Sequence, residues 1–396
     1  MVSHLREAFN KNFSEARYQL LLHSLDATCG MHVDFRVCET PLFIPSPLMK
    51  WMEVAGKEII MQLVSNAAYL SASRKAIPPD FCVANETPYP LFIAIDFGLT
   101  QTTDGEYAPK LIEMQGFPTL FAYQVAVSQL YKEVYGLPRE LTPFLGGLDL
   151  DRYYAMLRNA ILGGHAPENV VLMEIDPENQ KTRPDFLLTE RICGIATVDI
   201  RGVVKEGRKL FYRTDGRLIP IERIYNRTIV DELVKSNAKL PFSFRDDLDV
   251  EWAGHPNWFF RLSKFSLPFL DHPTVPKTFF LSDLQTVPDD LGSWVLKPLF
   301  SFAGSGVIVS PTRADIDAVA ESDRQNYVLQ EKVEYGAFVH TPNGGTKAEV
   351  RVVYFWVDRQ PFGVITLVRM GRGKMMGVNY NKDFAWVGSS AGLYLE

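Results

Sequence analysis

Cysteine is scarce in this sequence, and its positions indicate neither a metal site nor a disulfide framework. The chain has 396 residues and four cysteines, none of which forms a C-x-x-C pair. Zinc sites and disulfide-stapled domains both need cysteines at characteristic spacings. We therefore expect four reduced thiols, at Cys29, Cys38, Cys82 and Cys193.

Long apolar runs and an excess of basic residues are also lacking. A membrane span needs about 20 apolar residues in a row, and no window of the sequence approaches this. The opening stretch MVSHLREAFNKNFSEARYQLLL carries charges where a secretory signal needs an apolar run. A net charge of -6 provides no basic footprint for a phosphate backbone. We expect a cytoplasmic protein that binds neither membranes nor nucleic acid.

Among the motifs that carry chemistry, the metalloprotease H-E-x-x-H and the phosphate loop G-x-x-x-x-G-K-[ST] do not occur. What the sequence does contain is regular periodicity. The N-terminal part combines helical patterns with two apolar strands, PLFIAIDFGL and YAPKLIEMQGFPTL, which flank the turn-rich TQTTDGE. We predict that these two strands form a hairpin.

The middle of the chain alternates strand, helix and strand, which is typical of a small parallel sheet. Within it, Asp215-Gly216 indicates a two-residue hairpin turn. The C-terminal part is predicted to be a mostly antiparallel block with one helix, TRADIDAVAESD. The predicted boundaries of the three parts are 1–165, 166–255 and 256–396.

Acidic side chains interrupt both strands of the predicted hairpin. Asp96 lies in FIAIDFG and Glu113 in KLIEMQG, where an unpaired charge would cost several kcal/mol. Glu113 and Gln115 are two residues apart and so project from the same face. The hairpin could present three oxygen donors to magnesium. The alternative is that each acid is bonded to the backbone or paired with an arginine.

A second candidate is SWVLKPLFSFAGSG, in which Lys297 ends a strand before a loop of small residues. Gly304 and Gly306 would let backbone N–H groups approach an anion, which suggests a phosphate clamp. A plain hairpin with a solvated lysine explains the same pattern.

Two further segments are weaker candidates. Lys264 lies in the helix-like RLSKFSLPF, where a solvated helix residue is the alternative. YVLQEKVEYG is an apolar strand running into Gln330, Glu331, Lys332 and Val333, whose edge could meet a nucleobase, as any sheet edge could.

Taken in order, these pieces resemble the ATP-grasp superfamily, and in particular the circularly permuted type found in the synthetase domain of glutathionylspermidine synthase. That type has D-x-x-x-D-G-x-x-K-L-x-E-x-N-x-D-x-P-T early in the chain, and this sequence has IDFGLTQTTDGEYAPKLIEMQGFPT. The resemblance continues through RIYNR, RLSK, VLKPLFSFAGSG and VLQEKV. It implies an α+β or α/β fold of the glutathione synthetase ATP-binding type, with a small parallel-sheet pre-ATP-grasp unit.

The resemblance also implies ATP and Mg²⁺ as cofactors and assigns roles to individual residues. Asp96, Glu113 and Gln115 would bind magnesium, and Lys264 and Lys297 would hold the phosphates. The rest of the implied nucleotide site is Ser301, Gly304, Ser305, Gly306, Gln330, Glu331, Lys332 and Val333.

Two departures from the family pattern concern the γ-phosphate and the metal. Gln115 replaces the asparagine of E-x-N, and Ala94 replaces an arginine that helps to hold the γ-phosphate. Arg351, Arg369 and Lys374 are candidates to supply the missing cation, and with Lys297 we assign Arg351 and Arg369 as catalytic. Arg183, Arg223 and Arg227 could bind a substrate carboxylate, although surface ion pairs are the alternative.

The implied activity is ligation of a small carboxylate to an amine through an acyl-phosphate. An ATP-dependent phosphotransferase and a nucleotide-binding protein with little turnover are the alternatives. No amidase segment is visible, so the resemblance does not imply glutathione or spermidine as substrates, and the sequence does not indicate an oligomeric state.

Overall fold

The computed structural model describes residues 1–300, 306–377 and 380–396. The N-terminal helices arise where the sequence has its helical patterns, and glycine ends several of them. Gly136 and Gly163 take left-handed backbone conformations at the ends of α5 and α6, as C-terminal caps commonly do. The helices are α1 (Ser3–Asn12), α2 (Glu15–Cys29), α3 (Ser46–Val64), α4 (Ala67–Lys75), α5 (Phe121–Tyr135), α6 (Leu150–Leu162), α7 (Arg183–Cys193), α8 (Val230–Ser236), α9 (Asn257–Arg261) and α10 (Arg313–Asp317).

Strands form five sheets within the described part of the chain. They are β1 (Leu42–Phe43), β2 (Phe92–Gln101), β3 (Tyr107–Gln115), β4 (Leu141–Thr142), β5 (Val170–Glu174), β6 (Ala196–Asp199), β7 (Val204–Glu206), β8 (Lys209–Thr214), β9 (Arg217–Ile221), β10 (Arg223–Asn226), β11 (Glu251–Ala253), β12 (Thr278–Phe280), β13 (Trp294–Pro298), β14 (Ile308–Val309), β15 (Tyr327–Glu331), β16 (Val339–Thr341), β17 (Gly344–Val357), β18 (Gln360–Gly371), β19 (Gly388–Ser390) and β20 (Gly392–Leu395).

The largest sheet has the order β19-β18-β17-β2-β3, with β16 paired to β17. The predicted hairpin is confirmed as β2 and β3, which pair antiparallel around the TQTTDGE turn. Ile95 and Phe97 are buried in a core that includes helix α3. Because side chains alternate along a strand, Asp96 points to the opposite face.

Strand β17 repeats this alternation beside β2. Val350 and Val352 join the same core, so Glu349 and Arg351 project to the face that carries Asp96. The pairing register sets Arg351 opposite Asp96 on β2 and Glu349 opposite Arg369 on β18. One face of the large sheet therefore gathers charges that are far apart in sequence.

A smaller antiparallel sheet has the order β12-β15-β13-β14. Lys297 lies on β13 opposite Val328, and Gln330 on β15 lies opposite Val295. Lys264 begins a six-residue 3-10 helix, Lys264–Phe269, which starts with a capping box at Ser263. These elements bring the small sheet and the 3-10 helix to the charged face of the large sheet.

Four parallel strands in the order β11-β10-β5-β6 form a third sheet. Its strands lie within the segment predicted as 166–255, and the domain boundaries themselves stay predictions. The Asp215-Gly216 turn joins β8 to β9 with both residues at positive φ, 48° and 75°, as a type I′ hairpin requires.

The predicted helix TRADIDAVAESD is shorter than expected. A capping box between Thr312 and Asp315 starts α10, which ends at Asp317. A carboxylate at a helix C-terminus opposes the macrodipole, and a separate 3-10 helix, Glu321–Asn326, follows.

Among the described helices, none combines the length and apolar character that crossing a membrane requires.

Candidate functional site

A cleft of about 320 Å³ lies between the small sheet and the charged face of the large sheet. The predicted nucleotide-binding residues Lys264, Lys297 and Gln330 to Val333 all line it. So do Glu113 from the hairpin and Arg369 and Lys374, two of the candidate cations. The structure thus brings together these side chains from five separated segments of the sequence.

Lys297 is almost fully buried in this cleft, at 8% exposure. Its Nζ donates to Gln330 Oε1 at 2.5 Å and to the carbonyl of Ile112 at 3.2 Å. Burial lowers the pKa of Lys297 to about 8, and the positive charge of Lys264 contributes to this lowering. The negative charges of Glu113 and Glu349 act in the opposite direction but are outweighed. A lysine at a solvated strand end would not have this environment, so the solvated alternative is wrong.

Lys264 is buried as well, at 5% exposure. Its Nζ lies 3.9 Å from Glu113 Oε1. A solvated helix residue, the alternative for this position, would be exposed. Two buried ammonium groups beside one partly exposed carboxylate leave positive charge for an anionic ligand.

Gln330 adds an unused donor to the cleft. Its side chain is 2% exposed, and while Oε1 accepts from Lys297, the described residues offer Nε2 no partner. A buried unpaired amide N–H costs about 1–3 kcal/mol, so a ligand that accepts from it would gain that energy.

The segment after Gln330 forms the rim of the cleft. The backbone N–H groups of Glu331 and Lys332 donate to Lys277 and Ser293 carbonyls. For Val333, a cleft-lining residue, the described part of the chain shows no backbone hydrogen bond. Its N–H and C=O are suited to meet a base edge.

Asp96 is paired with arginine. This pairing is one of the possibilities that the sequence left open for this acid. Arg351 binds its carboxylate in a bidentate manner, Nε to Oδ1 at 2.5 Å and Nη2 to Oδ2 at 2.7 Å. Arg369 Nη2 lies 3.4 Å from Oδ2. Burial alone would raise the pKa of Asp96, but the charge and hydrogen bonds of Arg351, with Arg369, outweigh burial and lower it.

The remaining donors of Arg351 are also used. When the Gln115 amide is assigned with its oxygen toward the guanidinium, the orientation that satisfies both groups, that oxygen accepts from Arg351 Nη1 at 2.7 Å and from Nη2 at 2.9 Å. Thr119 Oγ1 accepts from Arg351 Nη1 at 3.0 Å. Two of the three predicted magnesium ligands, Asp96 and Gln115, therefore bind a guanidinium in this structure.

Glu349 is a site residue that sequence reasoning missed. It accepts from Arg369 Nη2 at 2.6 Å and from the Tyr335 hydroxyl at 2.8 Å, and it is 4% exposed. The stretch KAEVRVV could have indicated it, because charged residues stand at every second position, Lys347, Glu349 and Arg351. Side chains at that spacing share one face of a strand.

The close packing of Tyr335 depends on a glycine. A Cβ at Gly98 would lie 2.8 Å from Tyr335 Cε1 and 2.9 Å from Ile112 Cδ1. The absence of a side chain at Gly98 lets Tyr335 reach Glu349 across the edge of the charged face.

Three residues of the predicted phosphate loop, Ser301, Gly304 and Ser305, lie outside the described residues. Gly306 is described; it has φ +70°, and a Cβ there would lie 2.9 Å from Pro298 Cγ.

The three arginines of the middle part differ in their surroundings. Arg183 pairs with Glu178, as the ion-pair alternative anticipated. Arg223 pairs with Glu251 at 2.7 Å, but its side chain is only 11% exposed and also donates to the Ile161 and Ala160 carbonyls. Arg227 is 4% exposed, donates from Nη1 to the Thr119 carbonyl at 2.7 Å and lies over the rings of Phe117 and Phe186. Its Nε has no partner among the described residues.

One short motif has no catalytic environment. GSSAG, 388–392, fits the nucleophile formula G-x-S-x-G, but Ser390 is fully buried and donates to the Thr40 carbonyl at 2.6 Å. It ends strand β19 and does not occupy the strand-to-helix turn that exposes such a serine.

A comparison with solved structures identifies the fold. The apo structure of a glutathione synthetase-like effector, GSS30, from Globodera pallida is similar to this chain, with a TM-score of 0.57. The match covers 95% of this chain and 97% of that one, at 12% sequence identity. The chain has a glutathione synthetase-like fold. The predicted fold class is confirmed in this form, while the circular permutation and the pre-ATP-grasp unit stay predictions.

Sequence comparisons add little. No family model matches the chain. Isoleucine–tRNA ligases of Streptococcus pneumoniae, including strains Hungary19A-6 and JJA, are 26% identical over 215 and 211 residues. These alignments cover 45% of this chain and only 22% of those ligases, so the likeness does not extend to a whole enzyme of that kind.

Proposed function

We propose that the cleft binds ATP and that the chain is an ATP-dependent carboxylate–amine ligase. The observation that carries this proposal is the burial of two lysines and an unpaired glutamine amide on one cleft. Lys264, Lys297 and Gln330 are all at most 8% exposed. Positive charge in a cleft of low dielectric attracts an anionic ligand strongly, and a nucleotide triphosphate is a ligand of matching size and charge.

Each part of ATP has complementary groups in the cleft. Lys264, Lys297 and Arg369 supply positive charge for the phosphates. The backbone groups of Val333 and Nε2 of Gln330, for which the described residues offer no partner, are suited to the base and the sugar. The resemblance to the ATP-grasp superfamily agrees with a nucleotide in this cleft.

In the proposed reaction, a substrate carboxylate oxygen attacks the γ-phosphorus, and the bond from the γ-phosphorus to the bridging oxygen breaks to release ADP. An amine then attacks the carbonyl carbon of the acyl-phosphate, a C–N bond forms, and inorganic phosphate leaves. The chain's own contribution is to hold the reactants and to stabilise charge on the transferred phosphoryl group. Among the three arginines of the middle part, Arg227 is the candidate to bind the carboxylate, because the described residues offer its Nε no partner.

Magnesium, the other cofactor implied by the resemblance, does not fit the predicted ligands as they are arranged. Asp96 and Gln115 direct their oxygens to Arg351. Within the described residues, no group of three or more His, Cys, Asp or Glu side chains is positioned to hold a metal ion. No step of the proposed reaction is therefore assigned to a metal.

A nucleotide-binding protein with little turnover is the second candidate. It is supported by Ala94, which stands where the family has an arginine, and by the pairing of Arg351 with Asp96. A permuted chain order is also proposed, because hairpin β2–β3 precedes the parallel sheet β11-β10-β5-β6 and the small sheet β12-β15-β13-β14 in the chain, while β2 pairs with β17 near the C-terminus.

The reaction is tested by trapping its intermediate. The chain would be incubated with ATP, a panel of amino acids, peptides and other carboxylates, and hydroxylamine, which converts acyl-phosphates to hydroxamates. We expect ADP and a hydroxamate with at least one acid. ADP with transfer to a hydroxyl would instead support a phosphotransferase, and ATP binding without ADP would support the second candidate. Absence of ATP binding would refute the proposal.

The pH dependence of ATP affinity is a further prediction. Because the pKa of Lys297 is lowered to about 8, its ammonium is lost well below the ordinary lysine range. Affinity should be constant below pH 8 and fall by up to about tenfold per pH unit above it. Isothermal titration calorimetry from pH 6.5 to 9.5 would measure this.

The free energy of unfolding of the ligand-free chain should increase with pH, whereas the affinity for ATP decreases. The folded pKa of Lys297 lies below the unfolded value, so the unfolded state retains its proton to higher pH and the free energy of unfolding rises between these two values. An affinity that stayed flat to pH 9.5 would show that Lys297 does not contact the phosphates.

A further inference from the structure

We infer that Arg351 takes the place that the resemblance gives to a magnesium ion, so that this chain binds ATP without a divalent cation on Asp96, Glu113 and Gln115. The inference rests on the proposed function, because it concerns the same nucleotide. It adds a property that the resemblance does not imply, namely metal-independent binding.

The geometry of Arg351 is the first support. A guanidinium has five N–H donors in a planar fork. Nε and Nη2 take both oxygens of Asp96, at 2.5 and 2.7 Å, and the two Nη atoms share the Gln115 oxygen. Thr119 accepts the remaining hydrogen. The oxygens that would enter a magnesium shell are thus already bound to a cation.

Magnesium makes strict demands on its ligands, since it takes near-ideal octahedral oxygen coordination. To bind at Asp96 it would have to displace Arg351, whose side chain is 15% exposed. The displaced guanidinium would then be left in a mostly buried position without its carboxylate, which is strongly unfavourable.

The charges around the cleft provide independent support. The carboxylates that line the cleft are Glu113, Glu331, Glu334 and Glu349, and the basic side chains that line it are Lys264, Lys297, Lys332, Lys347, Arg369 and Lys374. Six cations against four anions give the cleft a positive surplus before any metal is added, and the neighbouring pair of Asp96 and Arg351 leaves that surplus unchanged. Such a surplus suits free ATP, whose negative charge magnesium would otherwise reduce.

Two of these cleft carboxylates are also engaged by the protein. Glu349 binds Arg369 and Tyr335, and Glu113 faces Lys264. Arg369 lines the cleft and also reaches Asp96. A second guanidinium therefore extends positive charge from Asp96 to the position of the phosphates.

Calorimetric titration of the wild-type chain with ATP, in EDTA and in excess magnesium, tests the inference directly. We expect dissociation constants that agree within about threefold, a difference well below 1 kcal/mol. Affinity at least about tenfold higher with magnesium would overturn the inference and leave the proposed function intact. No binding in either buffer would overturn the proposed function itself, and the inference with it.

A variant of Arg351 provides a second test of the inference. Arg351→Met frees the oxygens of Asp96 and Gln115, so ATP affinity in EDTA should fall about tenfold or more and magnesium should restore part of it. Arg313→Met, at an exposed arginine 64% accessible, is the matched control. Unchanged affinity of Arg351→Met in EDTA would overturn the inference. If that variant does not fold, the wild-type titration alone decides.

Discussion

Replacing Lys297 by methionine is expected to weaken ATP binding by about 100-fold, the equivalent of about 2.7 kcal/mol. Methionine fills a similar volume along the buried stem but removes the ammonium, and a hydrogen bond to a charged group contributes about 1.5–3 kcal/mol. Calorimetric titration with ATP would measure the loss. A dissociation constant within threefold of the wild type would contradict a phosphate-binding role.

The stability of this variant should change little. The wild-type chain bears a desolvation cost for the buried ammonium, which is the main cause of its lowered pKa. Removing that cost offsets the loss of its bonds to Gln330 and Ile112. Lys50→Met is the matched control, since the Lys50 side chain is 71% exposed and pairs only with Glu53 at the surface. It should leave both affinity and stability unchanged.

The elements around Lys297 could be predicted because their signals are local. Alternating apolar residues and a turn-rich segment were sufficient to predict the β2–β3 hairpin, and Asp215-Gly216 was sufficient to predict the separate turn between β8 and β9. Lys264 and Lys297 could be proposed as cleft residues from the order of short motifs. Their burial could not be predicted, because it depends on how the two sheets approach each other.

The pairing of Asp96 with Arg351 could not be predicted, for a related reason. Its partner Arg351 lies 255 residues away in the chain, and only the register between β2 and β17 sets them opposite each other. The sequence left metal binding and arginine pairing open for an isolated buried acid. Knowing which strands are neighbours decides between them, and a single sequence does not contain that information in local form.

The largest expected effect on stability is that of Asp96→Asn, which should lower the free energy of unfolding by about 3–5 kcal/mol. Asparagine preserves the shape of the side chain but leaves Arg351 as a mostly buried cation without a carboxylate. Urea unfolding followed by circular dichroism would measure the change. Asp317→Asn is the control: it breaks the exposed pair with Arg313, at 64% and 56% exposure, and should cost less than about 1 kcal/mol.

The two partners in this pair should not be equivalent. Asp96 has a second cation, since Arg369 lies 3.4 Å from its Oδ2. Among the described residues, Asp96 is the only carboxylate paired with Arg351. Arg351→Met should therefore destabilise the chain less than Asp96→Asn, and the double variant should cost clearly less than the sum of the two, by the logic of a mutant cycle. Additive effects would show that the pair contributes through packing alone, and an Arg351→Met cost above that of Asp96→Asn would show that Arg369 does not neutralise Asp96.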